Sequence, residues 1–337
     1  MQPLIKKSLK RLLYSGYLTL AAWGLLEIAY RYQWIDFYAT ELRYLNPEAA
    51  LRANSGKSRI LLLGDSFSAQ PHSYVDTLRD SLPGLDIINA AVPGTGILEA
   101  AIIGADKTNR FPPDVLLYQV YAGNDLWDIR KSCASPKISL ARKLYWLLSD
   151  YSLALRYLNY SLGQFKSRIG KSVEKQELKR DIPFSAALYS KRERLLLQAE
   201  PGLLRHSILA EGARGRDLER WLGEMDRIIA ALPARTQRIV LLVLPHCVQV
   251  NDYYGNNLEA LGAEPFGPEI LQAPYPFLQR IQAHYAGQPR VSVFSPLPVF
   301  QQNDSTGHRL YYANDPHLNP AGHQLLGQVL QAYLERL

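Results

Sequence analysis

The chain has 337 residues, 47% hydrophobic and 20% charged, a balance that excludes a disordered polypeptide and allows one large domain or two ordinary ones. Two cysteines, Cys133 and Cys247, exclude a disulfide scaffold and lack metal-ligand spacing. The net charge of +7 is concentrated, since Arg130 to Arg220 holds 19 Lys/Arg against 9 Asp/Glu while the remainder holds 19 against 22. That basic segment carries no nucleic-acid-binding motif, so no nucleic-acid partner is expected. A solvated helical surface, anionic lipid head groups or an acidic glycan all account for it. Twenty-one tyrosines against nine phenylalanines suit half-wet sugar or interface contacts.

The first element is "LLYSGYLTLAAWGLLEIA", residues 12 to 29, preceded by Lys6, Lys7, Lys10 and Arg11 and followed by Tyr30, Tyr32 and Trp34. Length, flanking positive charge and interfacial aromatics predict a membrane-spanning anchor over 12–30. Residues 1–11 would then be cytoplasmic and the body extracytoplasmic, at the inner (cell) membrane. A cleaved signal peptide and a buried core helix are the rival readings. In an oxidising space Cys133 and Cys247 could pair, and two free buried thiols are the alternative.

A connector over 31–57 leads into a domain expected over 58–337. Buried parallel strands are predicted at "RILLLG" (59–64), "LDIINAAV" (85–92), "DVLLYQV" (114–120), "RIVLLVLP" (238–245) and "RVSVFS" (290–295). Helical periodicity occupies Tyr74 to Leu82, Leu218 to Leu232 and Pro320 to Leu337, the last with Leu325, Leu326, Val329, Leu330 and Leu334 on one face. Alternating strands and helices predict an α/β fold with a parallel sheet covered on both faces. The segment from about 132 to 215 is helical and basic without a strand-like run. It reads as an insertion after the third strand, a lid or docking surface near the site.

The strand ends are chemically particular. The first ends in "GDSFSA", placing Ser66 after Gly64 and Asp65. The second ends in "NAAVPGTG" with Asn89 and Gly94, and the third in "YAGNDLWD" with Gly123, Asn124 and Asp125. Before the last helix comes "ANDPHLNPAGH", with Asp315 and His317. A serine hydroxyl becomes a nucleophile when a histidine takes its proton, and that histidine works best when a carboxylate fixes its tautomer. Attack on an ester makes an oxyanion, which needs preorganised donors such as a glycine N–H or an asparagine amide.

These four motifs in this order resemble the SGNH hydrolases, also called the GDSL family, from about Arg59 to the C-terminus. The resemblance implies a three-layer α/β/α sandwich with a flavodoxin-like five-stranded parallel sheet. It implies Ser66 as nucleophile, His317 as base and Asp315 as its orienting partner. The oxyanion hole would be the N–H groups of Ser66 and Gly94 with the Asn124 side chain. Many family members place the carboxylate three residues before the histidine, where this chain has Asn314. The two-residue spacing followed by "LNPAGH" looks like the variant of membrane-linked, polysaccharide-modifying members, including alginate O-acetylation proteins.

The implied activity is serine-dependent hydrolysis of small O-acyl esters, above all O-acetyl groups on cell-surface carbohydrate, with no cofactor and no metal. The alternatives are an O-acetyltransferase of an exported polysaccharide, a lysophospholipase or thioesterase, and a noncatalytic glycan-binding module. A membrane acyltransferase is a partner that glycan modification would call for. Other candidates are weaker. His246 could line the site but reads better as a histidine satisfied by backbone, His323 reads as structural, and His72 lacks the stronger motif of His317. "SGKS" at 55–58 has Leu51 where a phosphate loop needs glycine and leads into a strand.

Overall fold

The computed structural model describes residues 2–51, 56–131, 133–169 and 182–337, with side chains at these positions apart from 2–7, 9 and 166–169. The expectations for the Lys6 and Lys7 side chains, for the first residue of "SGKS" and for the insertion's stretch 170–181 lie outside the described residues.

Each apolar run forms a strand: β1 Ser58–Leu63, β2 Leu85–Asn89, β3 Val115–Tyr121, β4 Arg238–Leu244 and β5 Val291–Phe294. All pair in parallel in the order β2-β1-β3-β4-β5. The runs are continuous because both faces are covered; Leu61, Leu62 and every residue from Ile239 to Leu244 are buried. β2 stops three residues before the expected Val92. There the Asn89 side chain turns the chain, its Oδ1 accepting from Ala91 N (3.1 Å) and its Nδ2 donating to the Ser68 carbonyl (2.7 Å).

In chain order the helices are α1 Gln2–Arg31, α2 Ala39–Leu45, α3 Tyr74–Ser81, α4 Ile97–Arg110, α5 Asp125–Ile129, α6 Leu140–Ser149 and α7 Leu153–Ile169. They continue as α8 Lys191–Ala199, α9 Leu203–Ile208, α10 Gly212–Ala230, α11 Asp252–Glu259, α12 Pro276–Tyr285, α13 Leu297–Asn303 and α14 Pro320–Leu334. α3 packs with α14, and α10 packs with α4 and α12, two helix groups that cover the sheet as an α/β/α sandwich. The last helix buries Leu326 and Leu330, with Leu325, Val329 and Leu334 partly covered, as its periodicity predicts.

Between β3 and β4 the described residues form helices and loops without a strand. This insertion has a small core of its own, in which Trp127, Ile138, Trp146, Leu196 and Leu203 meet, the two indoles edge to face at 5.3 Å. In α1, the stretch Lys10–Arg31 is long and apolar enough to cross a membrane, with mean hydropathy 1.3 and none of its most apolar window buried. That exposure argues against the core-helix reading. Cys133 and Cys247 are both free thiols, the second buried.

Candidate active site

The strand order places a chain reversal between β1 and β3, because β2 lies on one side of β1 and β3 on the other. Loops leaving the carboxyl ends of two such strands diverge to opposite faces and leave a crevice. Ser66 follows β1 and Asn124 follows β3, so both flank this crevice.

The turn after β1 is shaped by Asp65. Its Oδ1 accepts from Phe67 N (3.0 Å), and its carbonyl accepts from Ser68 N and Ala69 N. Gln119 of β3 ties the turn to the sheet, its Oε1 accepting from Asp65 N (3.2 Å) and from Ser68 Oγ (3.0 Å). Burial raises the Asp65 carboxyl, while the Phe67 N–H and His317 work in the opposite direction. A strand halted this way leaves Ser66 half-buried at the crevice.

His317 arrives from 251 positions away, and its Nε2 stands 2.8 Å from Ser66 Oγ. Its Nδ1 bonds Asp315 Oδ1, which also accepts the His317 backbone N–H at 3.0 Å. The imidazole therefore carries its proton on Nδ1 toward the carboxylate and offers Nε2 as the acceptor for the serine proton. The Phe67 ring lies 4.7 Å from the imidazole and 4.3 Å from Tyr121, limiting its rotation.

Asn314, three residues before His317, makes other contacts. Its Oδ1 accepts from Ser185 N (2.8 Å) and its Nδ2 donates to the carbonyls of Ile182 (2.9 Å) and Pro183 (3.3 Å). Its own carbonyl accepts from Ser190 N. Asn314 thus fastens the end of the insertion beside the histidine, and Asp315 alone of the two holds the imidazole.

Gly94 has φ +72°, a left-handed conformation that costs a side chain dearly, and it lines the crevice. Among the described residues the backbone N–H groups of Ser66 and Gly94 donate to no acceptor. Asn124 is half-buried, and its Nδ2 donates to Asp128 Oδ2 at 2.9 Å, leaving its second amide hydrogen available. The structure thus gathers Ser66, Gly94 and His317 around one cleft, sets Asp315 behind the histidine, and turns the Asn124 amide onto Asp128.

The cleft has a volume of about 570 Å³, and one wall is the insertion. Trp127, Tyr145, Trp146 and Tyr160 supply aromatic surface; Lys131, Arg142, Lys191 and Arg192 supply positive charge. Part of the basic excess therefore faces the site. Burial by itself would raise the Asp128 carboxyl, but Lys131 Nζ at 2.9 Å and Arg192 Nη2 at 3.6 Å outweigh it and hold it below the usual range.

Glu193, missed by sequence reasoning, is buried behind this wall. Burial lifts its carboxyl to about 7, with Arg192 and His317 opposing and Asp315 adding to the rise. A charged residue on the inward face of an amphipathic helix would have been the signal, but "KRERLLLQA" shows charges on several faces. His246 is buried behind the site. Its Nδ1 accepts from Val248 N (3.3 Å), as the backbone-satisfied reading expects, while its Nε2 has no partner among the described residues. His323 is structural: it stacks on Tyr74, and its Nδ1 accepts from Tyr74 N at 3.4 Å. His72 is exposed, with its backbone N–H on Asp76.

No protein-family profile and no curated protein matches the chain. Solved structures with a similar chain trace include a candidate acylhydrolase from Bacteroides fragilis NCTC 9343, at 10% identity and TM-score 0.42, over 89% of this chain and 94% of that one. The acetyl xylan esterase AlAXEase aligns at 9% identity and TM-score 0.42, over 83% of this chain and 100% of that one. The lipase/acylhydrolase from Enterococcus faecalis aligns at 12% identity and TM-score 0.37, over 83% and 96%. These likenesses are of architecture alone.

Proposed function

We propose that the chain is a serine-dependent ester hydrolase of the SGNH type, anchored in the cell membrane by α1, with its catalytic domain on the extracytoplasmic side. The observation that carries this is the continuous chain Ser66 Oγ to His317 Nε2, and His317 Nδ1 to Asp315. In the first step Ser66 Oγ attacks the ester carbonyl carbon and passes its proton to His317 Nε2. Asp315 stabilises the imidazolium without taking the proton. The N–H groups of Ser66 and Gly94, with the Asn124 amide, receive the oxyanion. Collapse breaks the bond to the alcohol oxygen, which leaves with the proton from His317. Water then repeats the sequence on the acyl-enzyme and frees Ser66.

The acyl group is small, preferentially acetyl, and the alcohol that carries it is a cell-surface carbohydrate. Aromatic faces in the cleft suit sugar rings, and its cations suit acidic ones. The same acyl-enzyme serves transfer when a sugar hydroxyl replaces water, and about 570 Å³ leaves room for such an acceptor. A membrane acyltransferase would then be the source of acyl groups.

The test uses the full chain in nanodiscs. Wild type should cleave an acetyl ester probe and be labelled at Ser66 by a fluorophosphonate, and Ser66→Ala should lose both. Equal rates for the two proteins would refute the serine mechanism. A labelled acetyl donor with an acceptor glycan separates the two outcomes, since transfer exceeding hydrolysis identifies a transferase.

A further inference from the structure

Helix α6 is apolar on the wrong side for a helix that merely packs on its own protein. Its inner face buries Trp146 and Ser149. Its outer face presents Leu140, Leu144, Leu147 and Leu148, continued by Tyr151, all between 46% and 83% exposed. The spacing of four, seven and eight positions from Leu140 places the leucines in one stripe, and Tyr151 follows just beyond the helix end. A contiguous patch of large exposed apolar side chains marks a contact surface.

The occupant follows from what lies next to the stripe. Glu27, in the last turns of α1, accepts hydrogen bonds from Ser152 Oγ (2.8 Å), Ala154 N (3.0 Å) and Leu153 N (3.2 Å). It therefore caps the start of α7 and pins the α6–α7 joint to the end of the anchor. The rings of Tyr30 and Tyr157 meet at 5.8 Å and strengthen the junction. With α1 spanning the bilayer, Tyr151 would sit near the level where the helix leaves it, and exposed Tyr32 and Trp34 just after the apolar stretch are interfacial aromatics of the same kind. Lys143, beside the stripe, and Lys137, just ahead of the helix, add positive charge of the kind that attracts anionic head groups.

We infer that α6 is a second membrane contact, an interfacial helix whose leucine face enters the boundary between head groups and acyl chains of an anionic bilayer beside α1. This rests on the anchored reading above. Arg142, Tyr145 and Trp146 of the same helix line the catalytic cleft. Docking α6 therefore sets the cleft mouth at head-group height, where esters carried on membrane-bound glycans would meet it.

The experiment uses the full chain, in a Cys133→Ser background, in nanodiscs of phosphatidylethanolamine and phosphatidylglycerol. One fluorophore at a time is attached through Leu144→Cys, Leu148→Cys, Leu18→Cys on the exposed face of α1, or Gln288→Cys, an exposed reference site far from α6 in sequence. Nitroxide-labelled lipid should quench the probes at 144, 148 and 18 severalfold more than the probe at 288, and iodide should show the reverse order. If 18 is quenched by lipid while 144 and 148 behave like 288, the interfacial helix is refuted and the anchor stands. If 144 and 148 are shielded from both quenchers, protein covers the stripe, which also overturns the inference. If 18 escapes the lipid quencher, the anchored reading falls first and takes this one with it.

Discussion

Replacing Glu193 by Gln should stabilise the folded chain at alkaline pH and leave it unchanged in acid. Glu193 is buried on α8, and burial lifts its carboxyl from an ordinary 4.5 to about 7. Between those values the folded chain holds a proton that the unfolded chain has released. The unfolded state binds fewer protons in this window, so stability falls as pH rises. The favourable contribution is complete below about pH 4.5 and lost above about pH 7. At 1.36 kcal/mol per pH unit the gap corresponds to about 3 kcal/mol. His246 and His323, both pushed down to about 3 by burial, slope the other way, because they stay neutral in the fold while the unfolded chain protonates them. The raw pH profile mixes these groups with other carboxyls that burial raises, Asp65, Asp125 and Asp217 among them, and the difference between wild type and Glu193→Gln isolates one. Urea unfolding of the solubilised full chain, followed by tryptophan fluorescence from about pH 4 to about pH 8.5, measures that difference. It should be near zero in acid and grow to about 3 kcal/mol in favour of the variant. A flat difference would show that Glu193 is not held in a charge-excluding site and would refute the reasoning.

Other substitutions separate neighbouring roles. Asp315→Asn should keep the fold and lower kcat on the order of 10⁴-fold by favouring the wrong imidazole tautomer, measured on the acetyl ester probe. Asn314→Ala should instead cost about 1–3 kcal/mol by leaving Ser185 N and the carbonyls of Ile182 and Pro183 without their partner. Hydrogen exchange should then rise over 182–190. The opposite pattern, lost catalysis with intact stability in Asn314→Ala, would move the orienting role to the wrong residue. Asn124→Ala should lower kcat about 10²–10³-fold with little change in KM, as expected for a donor used chiefly in the transition state. A pure KM effect would instead assign Asn124 to ground-state binding.

The sequence alone determined the local elements and the chemical inventory. Short apolar runs bounded by turn residues suit strands covered on both faces, so "ILLL", "LDIIN" and "RIVLLVL" could be read as strands. Ser66, Gly94, Asn124, Asp315 and His317 were legible because each sits in a short motif at an element end, where side chains are free of the core. Tertiary structure decided what spacing cannot encode. It brought His317 to 2.8 Å from Ser66 across 251 positions, on the loop ahead of α14, which packs against α3. It chose between adjacent Asn314 and Asp315, since one peptide of advance points successive side chains in different directions. It buried Glu193, a residue whose sequence surroundings are those of a solvated helix. It also joined Glu27, the one carboxylate within the apolar stretch 12–29, to the start of α7. Periodicity is a property of neighbours along the chain, whereas these contacts depend on packing between elements far apart in it.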